Sequence, residues 1–251
     1  MGALLCAPAQ AQFLRSREKP REWDVTLGAG VAVRPTFEGS DRSVVRPLPV
    51  IALRWRDTIS LGEGGLSVTA HLKKFRFGGG LTVDAGRKDH SSGGIFESGD
   101  DRLKGLGTIK ASPGLRAFAS TRLSLFNLEV SAVKSFNHGV TATAGLSMPL
   151  PLGKKLFLIP HVRATWADDQ YTQTYFGVSA AQSSASIFPR FGASSGVKDV
   201  RGGVNLIYSF NRHWFAGADV GVTQLMGSAR ASPISIRDTN LTAMAMAGYR
   251  F

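Results

Sequence analysis

The sequence predicts an all-β protein: a single antiparallel transmembrane β-barrel of twelve strands, with ten as the alternative, long extracellular loops and short periplasmic turns. Three observations predict it. Apolar residues recur at every second position along nearly the whole chain, the alternating runs approach the ~10 residues a tilted strand needs to cross a bilayer, and the connections come in two sizes.

The last strand shows the pattern most plainly. Leu241, Ala243, Ala245, Ala247, Tyr249 and Phe251 form an apolar series, while Asn240, Thr242, Met244, Met246, Gly248 and Arg250 form a mixed, partly polar one. One face suits lipid and the other a lumen. A chain closing on an aromatic residue also resembles the assembly signal of bacterial outer-membrane barrels, so Tyr249 and Phe251 are read as the insertion signal and the barrel assembly machinery as a partner.

The other strands follow in order. Val25 to Val33 alternate with Asp24 to Arg34. Ile51, Leu53 and Trp55 oppose Ala52, Arg54 and Arg56. Leu66 to Leu72 oppose Ser67, Thr69 and His71, and Phe75 to Ala85 oppose Thr82 and Asp84. Ile109, Ala111, Leu115 and Ala117 oppose Lys110, Ser112, Gly114 and Arg116. Phe126 to Ala132 oppose Asn127, Glu129 and Ser131, and Val140 to Met148 oppose Thr141 to Ser147. Leu156 to Trp166 oppose His161, Arg163 and Thr165; Val204 to Phe210 oppose Asn205 and Ser209; Trp214 to Val222 oppose Asp219 and Gly221. This makes eleven strands; bacterial barrels use even numbers, and Thr58 to Leu72 has room for two short strands around Gly62 to Gly65, giving twelve. The charges expected to face the lumen are Arg34, Arg54, Asp84, Arg116, Glu129, Arg163, Asp219 and Arg250.

Short turns are expected at Leu72-Lys73-Lys74, Ser120-Thr121, Pro149 to Lys154 and Asn211-Arg212. Long loops are expected at Arg34 to Val44, Arg87 to Gly105, Asp168 to Gly196 and Met226 to Thr239. In outer-membrane barrels the short connections face the periplasm.

Composition bounds the rest. There is no run of eighteen apolar residues, and the mean hydropathy of -0.01 is what alternating strands give. The only cysteine, Cys6, lies near the start, which excludes a disulfide framework or a cysteine metal site in the folded body. The net charge of +12 points to anionic partners such as lipid and lipopolysaccharide phosphates. Nucleic acid is excluded as a partner, because the cations are spread singly along strands with no basic helix or stacking-aromatic motif. Residues 1–11 read as a signal-peptide remnant with cleavage after Ala11, 12–23 as a periplasmic lead-in and 24–251 as the barrel.

Catalytic readings find little support. Asp100-Asp101 and Asp168-Asp169, with His90, suggest the acidic rim of an omptin protease, yet adjacent acids in exposed loops are ordinarily solvated or bridged to lipopolysaccharide by cations. A phospholipase needs a Ser-His pair on the lipid side, and His161 falls on the lumen face. The Gly28-Ala-Gly30 and Gly78-Gly-Gly80 clusters precede no helix, so no phosphate cradle is expected. No catalytic residue, cofactor or metal ligand set is assigned.

Thr165-Trp-Ala-Asp-Asp-Gln-Tyr-Thr-Gln-Thr-Tyr-Phe-Gly-Val178 resembles the signature of the MipA/OmpV family of outer-membrane proteins. The resemblance continues through Phe37 to Asp41, Arg46 to Pro49, Gly105 to Gly107, Gly196 to Val200, His213-Trp214, Ser232 to Ile234 and Gly248 to Phe251. Thr174 and Met226 depart from it, standing where Ser and Leu are common. The resemblance implies a non-catalytic outer-membrane barrel whose best-known member scaffolds a lytic murein transglycosylase and a penicillin-binding peptidoglycan synthase; porin-like, adhesion and stress-linked members are the alternative. The signature loop residues are Trp166, Ala167, Asp168, Asp169, Tyr171, Gln173, Tyr175, Phe176 and Gly177. Tyr171, Tyr175 and Phe176 beside two acids suggest a loop folded inward over the barrel mouth.

Overall fold

A computed structural model describes residues 22–62, 64–91 and 99–251; the signal remnant and most of the lead-in lie outside them. Thirteen strands occur among the described residues: β1 (Trp23–Pro35), β2 (Ser43–Trp55), β3 (Ile59–Gly62), β4 (Gly65–Leu72), β5 (Phe75–Asp84), β6 (Ser112–Leu123), β7 (Phe126–Ser135), β8 (Gly139–Ser147), β9 (Leu150–Pro151), β10 (Leu156–Ala167), β11 (Gly196–Ser209), β12 (Trp214–Leu225) and β13 (Thr239–Arg250). β9 pairs with β10 further along the edge that β8 uses, so it prolongs β8 past Met148-Pro149 and the wall has twelve staves. β3 and β4 are the two short strands that the even count required. Each strand pairs antiparallel with the next, and β13 returns to β1 in a register running from Thr26↔Arg250 to Val33↔Ala243. The sheet has no free end, as a closed membrane barrel demands.

The alternation sets the two surfaces. Val31, Leu81, Val83, Val220 and Leu241 point outward with half or more of their surface exposed, a disposition that suits lipid and would be a liability in water. Trp23 lies 6.5 Å from Trp55, and Tyr249 packs edge-on against Trp214 and Phe251 at 5.1 and 4.7 Å, forming an aromatic belt at the end with short turns. Those turns are tight: Arg56, Asp57, Lys73 and Ser124 adopt left-handed backbone, with φ between 50° and 56°. The inward face is polar and paired. Glu129 lies 4.0 Å from Arg76 and 3.5 Å from Arg116, and Asp219 lies 2.5 Å from Arg201 and 3.7 Å from His161. Among the described residues no helix is long and apolar enough to cross a membrane.

Two sequence expectations are corrected. Ser120-Thr121 is not a turn: β6 continues to Leu123 and reverses at Ser124-Leu125, because Ser120 sits on the inward face, where its hydroxyl accepts a hydrogen bond from Arg76 Nε at 3.2 Å. Ile109 does not share the lipid face of β6. It belongs to the preceding loop, exchanges two backbone hydrogen bonds with Arg87 and packs against the apolar cluster inside the mouth.

β1 crosses β13 closely, and Gly30 is part of the reason. A Cβ at Gly30 would overlap the Ala245 carbonyl oxygen across the strand pair, whereas one at Gly202 on β11 would meet nothing within 4 Å. Gly30→Ala is therefore expected to cost about 1–3 kcal/mol through overpacking and to reduce the folded, heat-modifiable form on unboiled gels. Gly202→Ala should leave that form unchanged; equal loss in both variants would contradict the register at the barrel's closing seam.

Candidate functional site: the plugged mouth

The four long loops close over the outer end of the barrel, and the signature segment lies at the centre of the plug. Trp166 is the last outward residue of β10 and remains partly exposed, while Ala167 is completely buried. Asp168 then starts helix α1 (Asp169–Phe176): its side chain accepts from the Tyr171 amide at 2.8 Å, satisfying one of the unpaired first-turn donors. Asp169 favours the positive N-terminus of the helix and accepts from the Ser195 amide at 2.6 Å. Tyr171, Thr172, Tyr175 and Phe176 fall on one helical face, and all four are buried. The helix itself went unrecognised in the sequence, although an Asp N-cap followed by Tyr residues four apart was the available signal. Gln173 accepts from the Ala193 amide at 3.0 Å, and Gly177 closes the helix where any Cβ would overlap the Gln173 side chain.

The helix is anchored on polar groups from several strands. The Tyr171 and Tyr175 rings stack at 4.6 Å. Tyr175 donates its hydroxyl to Asp84 Oδ1 at 2.7 Å, and the other oxygen of Asp84 lies 3.0 Å from His138 Nδ1. Arg87 and Ser232 donate to the carbonyls of Tyr175 and Phe176 at 2.8 and 2.6 Å. Burial pushes the phenols of Tyr171 and Tyr175 upward, as nearby carboxylates also do, which keeps the Tyr175 hydroxyl protonated as the donor to Asp84.

A β-bulge supplies the second anchor. Between β10 and β11 the register passes from Thr165↔Asp199 to Trp166↔Val197, leaving Lys198 as the extra residue. Lys198 and Asp199 consequently both point inward, which a regular strand forbids. Lys198 Nζ lies 2.6 Å from Asp199 and 2.8 and 2.9 Å from the two oxygens of Glu38, and sits over the Tyr171 ring at 5.8 Å. Burial alone would raise the Glu38 carboxyl, but the Lys198 charge outweighs it and holds Glu38 below the usual carboxylate range.

The loops also bind one another. Arg102 pairs with Asp41, donates to Ser40 at 2.8 Å and meets Asp100 at 2.9 Å, while Thr36 donates to Asp100 at 2.8 Å. Asn240 of β13 donates to the Ser40 carbonyl at 2.7 Å. Phe37, Leu103, Leu106, Val178, Phe188 and Ile234 form one apolar cluster, drawn from all four loops; Ala167, Tyr171, Tyr175, Phe176, Leu225 and Ala229 form the other. Helix α2 (Ala180–Ala185) carries a Ser179–Gln182 capping box, and Gln182 also donates to the Leu106 carbonyl at 2.6 Å. Helix α3 (Gly227–Ala231) packs beside β11.

Beneath the plug lies a cavity of about 340 Å³. Of the charges assigned to the lumen from the sequence, Arg34, Asp84, Arg116, Arg163 and Asp219 line it. Glu129 stands lower, between Arg76 and Arg116; Arg54 reaches the Asp57 turn at 3.6 Å; Arg250 lies over the Phe215 ring at 5.6 Å. Tyr249 and Phe251 stand in the aromatic belt on the outer surface. Sequence reasoning missed Glu38, Lys198, Asp199 and Arg201, all of which line the cavity. The groups that suggested a protease are used structurally: Asp168 caps α1, Asp169 receives the Ser195 amide, Asp100 receives Arg102 and Thr36, Asp101 receives the Ser91 amide at 3.1 Å, and His90 turns to Asp89 at 2.9 Å. Among the described residues, no group of three or more His, Cys, Asp or Glu could hold a metal ion.

A closed twelve-stranded wall with an apolar exterior, an aromatic belt and a lumen capped by its own loops defines the class: an outer-membrane β-barrel, located in the outer membrane. The chain belongs to the family described as MltA-interacting protein MipA, whose model matches residues 27–251. No curated protein sequence matches it. Among solved structures it is similar to the KdgM porin (11% identity, 90% of this chain and 99% of that chain, TM-score 0.43), to a bacterial polysaccharide outer membrane secretin (9%, 90% and 98%, 0.44) and to OmpT, an outer membrane protein of Vibrio cholerae (8%, 94% and 100%, 0.38). At these identities the likeness is one of barrel fold alone.

Two perturbations test the plug. Lys198→Met leaves Glu38 and Asp199 buried without their cation, a loss of about 3–5 kcal/mol for such an arrangement. Amide exchange over 168–178 should accelerate while the strands stay protected; unchanged exchange would show that the ion cluster does not hold the plug. Burial raises the Asp100 carboxyl but its bonds to Arg102 and Thr36 outweigh this and hold it at about 2, against an ordinary 3.8. The tie between loops 36–42 and 85–111 is therefore fully present above pH ~4 and lost as pH falls toward ~2. Protease nicking of loop 99–111 should rise only in that acid window, and at neutral pH in Asp100→Asn.

Proposed function

We propose that this barrel is a non-catalytic platform whose periplasmic face docks a lytic murein transglycosylase and, through it, a penicillin-binding peptidoglycan synthase. The observation that carries the reading is the charge of that face. The short turns present Lys73 and Lys74, Arg122, Lys154 and Lys155, and Arg212, all exposed. Among the described residues of that end, Glu22 and Asp57 are engaged by Arg56 at 2.5 Å and Arg54 at 3.6 Å, and Asp24 is buried. A cationic ring of this kind attracts acidic protein surfaces and the anionic wall polymer, and orients their approach. The family description, an MltA-interacting protein, supports the transglycosylase as partner. The capped mouth adds support, since the outer loops spend their polar groups on one another.

Reversing Lys73, Lys74, Lys154 and Lys155 to Glu should lower recovery of the transglycosylase from envelope extracts by about tenfold or more, the lower range of electrostatic steering. Wild-type recovery should itself fall as salt rises. Undiminished capture by a folded quadruple variant would sink the docking face.

The cavity with Arg34, Arg116 and Arg163 favours a second reading, a small anion channel. The plug argues against open conduction. In planar bilayers the intact chain should be silent and Lys198→Met should give intermittent current; steady anion conductance from the wild type would replace the platform with the channel.

A further inference from the structure

The middle of the lumen carries more positive charge than its own acids answer. Arg163 of β10 and Arg201 of β11 stand directly opposite one another in the strand register, and the neighbour of Arg163 on its other side is Gly145. Like charges so placed repel, and a glycine offers no counter-charge. Asp219 lies 2.5 Å from Arg201 and 3.7 Å from His161, so one carboxylate serves two bases. Glu129 is likewise shared, 3.5 Å from Arg116 and 4.0 Å from Arg76. Among the described residues of this level, Arg76, Arg116, Arg163 and Arg201 thus meet only Glu129 and Asp219. Higher up, Glu38 and Asp199 are taken by Lys198, and Asp84 by the Tyr175 hydroxyl and His138. An excess of positive charge held away from bulk water is costly, and an anion relieves it.

Uncommitted hydrogen-bonding groups surround the same space. One row above Arg163 the register runs Ser131↔Thr143↔Thr165 across β7, β8 and β10, and all three residues line the cavity. Adjacent strands lie about 4.8 Å apart, so the hydroxyls form a rack roughly 10 Å long. None of the three makes a side-chain hydrogen bond to a described residue. Arg116 Nε is buried and has no partner among the described residues either. From the plug, Tyr171 lines the cavity with 6% of its surface exposed. Its ring stacks on Tyr175, yet its hydroxyl, unlike that of Tyr175, meets no acceptor among the described residues. A buried donor left in this way is costly until a partner arrives.

These groups select a chemistry. A guanidinium presents a planar fork of N–H groups that fits the paired oxygens of a carboxylate or a phosphate. Hydroxyls and a phenol add single bonds to further oxygens. The cavity of about 340 Å³ has room for roughly eleven water-sized groups at ~30 Å³ each.

We propose that the cavity beneath the plug is a binding site for a small oxygen-rich anion, a carboxylate- or phosphate-bearing solute. Its charged oxygens lie on Arg163, Arg201 and Arg116, and its remaining oxygens on the Ser131–Thr143–Thr165 rack and on Tyr171. The site uses no contact at the periplasmic turns and requires no current through the barrel, so it stands independently of the docking face and of conduction.

The test folds the full chain into detergent micelles with the anion already present, so that the closed plug is no barrier to entry. Citrate and inorganic pyrophosphate are the probes. Sorbitol, similar in size and uncharged, is the control, all at equal ionic strength. Native mass spectrometry counts the adduct. The temperature at which the compact form is lost on gels reports binding, since a ligand held only by the folded state raises it. Citrate or pyrophosphate should give a one-to-one adduct and a higher conversion temperature, and sorbitol neither. An effect of citrate alone identifies carboxylates as the ligand, of pyrophosphate alone phosphates, and of both a shared oxyanion site. Arg163→Met should lower affinity about tenfold or more, the loss of one charge-assisted pair. Thr143→Val and Tyr171→Phe should each lower it several-fold. Arg190→Met, which removes the same charge from an exposed outer loop, should leave it unchanged. Absence of an adduct with both anions overturns the site, as do equal binding of sorbitol and undiminished binding by Arg163→Met. Should Arg163→Met fail to fold, Thr143→Val and Tyr171→Phe decide, and undiminished binding by both overturns the site.

Discussion

Hydrocarbon offers no partner to a backbone amide, and an unpaired group there costs several kcal/mol. Most of this molecule follows from that constraint. The β13–β1 seam exists because the first and last strands must satisfy each other, and Gly28 and Gly30 allow the two backbones to approach. Strand alternation follows as well, since a wall one residue thick has lipid on one side and water on the other.

The mouth solves a different problem. A lumen this narrow is neither an apolar core nor an open pore, and its outer end is filled by loops that carry their own small cores. Those cores need polar anchors, because apolar clusters of six residues bury too little surface to fix long loops against their entropy. The anchors are the Lys198–Glu38–Asp199 cluster, the Tyr175–Asp84–His138 chain and the Arg102–Asp100 tie. Each joins a loop to a strand or to another loop, so the plug behaves as one unit. Five of the segments resembling the family signature meet here: Phe37 to Asp41, Gly105 to Gly107, the Trp166 to Val178 string, Lys198-Asp199 and Ser232 to Ile234; His213-Trp214 and Gly248 to Phe251 pack together at the other end. A closed outer mouth leaves the cationic periplasmic turns as the other charged surface of the barrel.

The wall was legible in the sequence because a strand's side-chain period is two and lipid tolerates no mixed face. Val25 to Val33, Phe126 to Ala132 and Leu241 to Phe251 could be assigned to faces from residue type alone. Even the hidden hairpin at Thr58 to Leu72 followed from parity. Local chemistry misled where polar residues serve two purposes: Ser120-Thr121 reads as a turn yet bonds inward to Arg76, and Ile109 keeps the alternation yet belongs to the plug.

What the sequence by itself determined was the barrel, its strand number and the alternation of its two faces. What only the tertiary structure decided was which charges meet. Lys198 and Asp199 are neighbours that a regular strand sends to opposite faces, and a single bulge turns both toward Glu38 from a loop 160 residues away in sequence. Side-chain periodicity reports the solvent on each face of a strand; it carries no information about which distant loop arrives to fill the space.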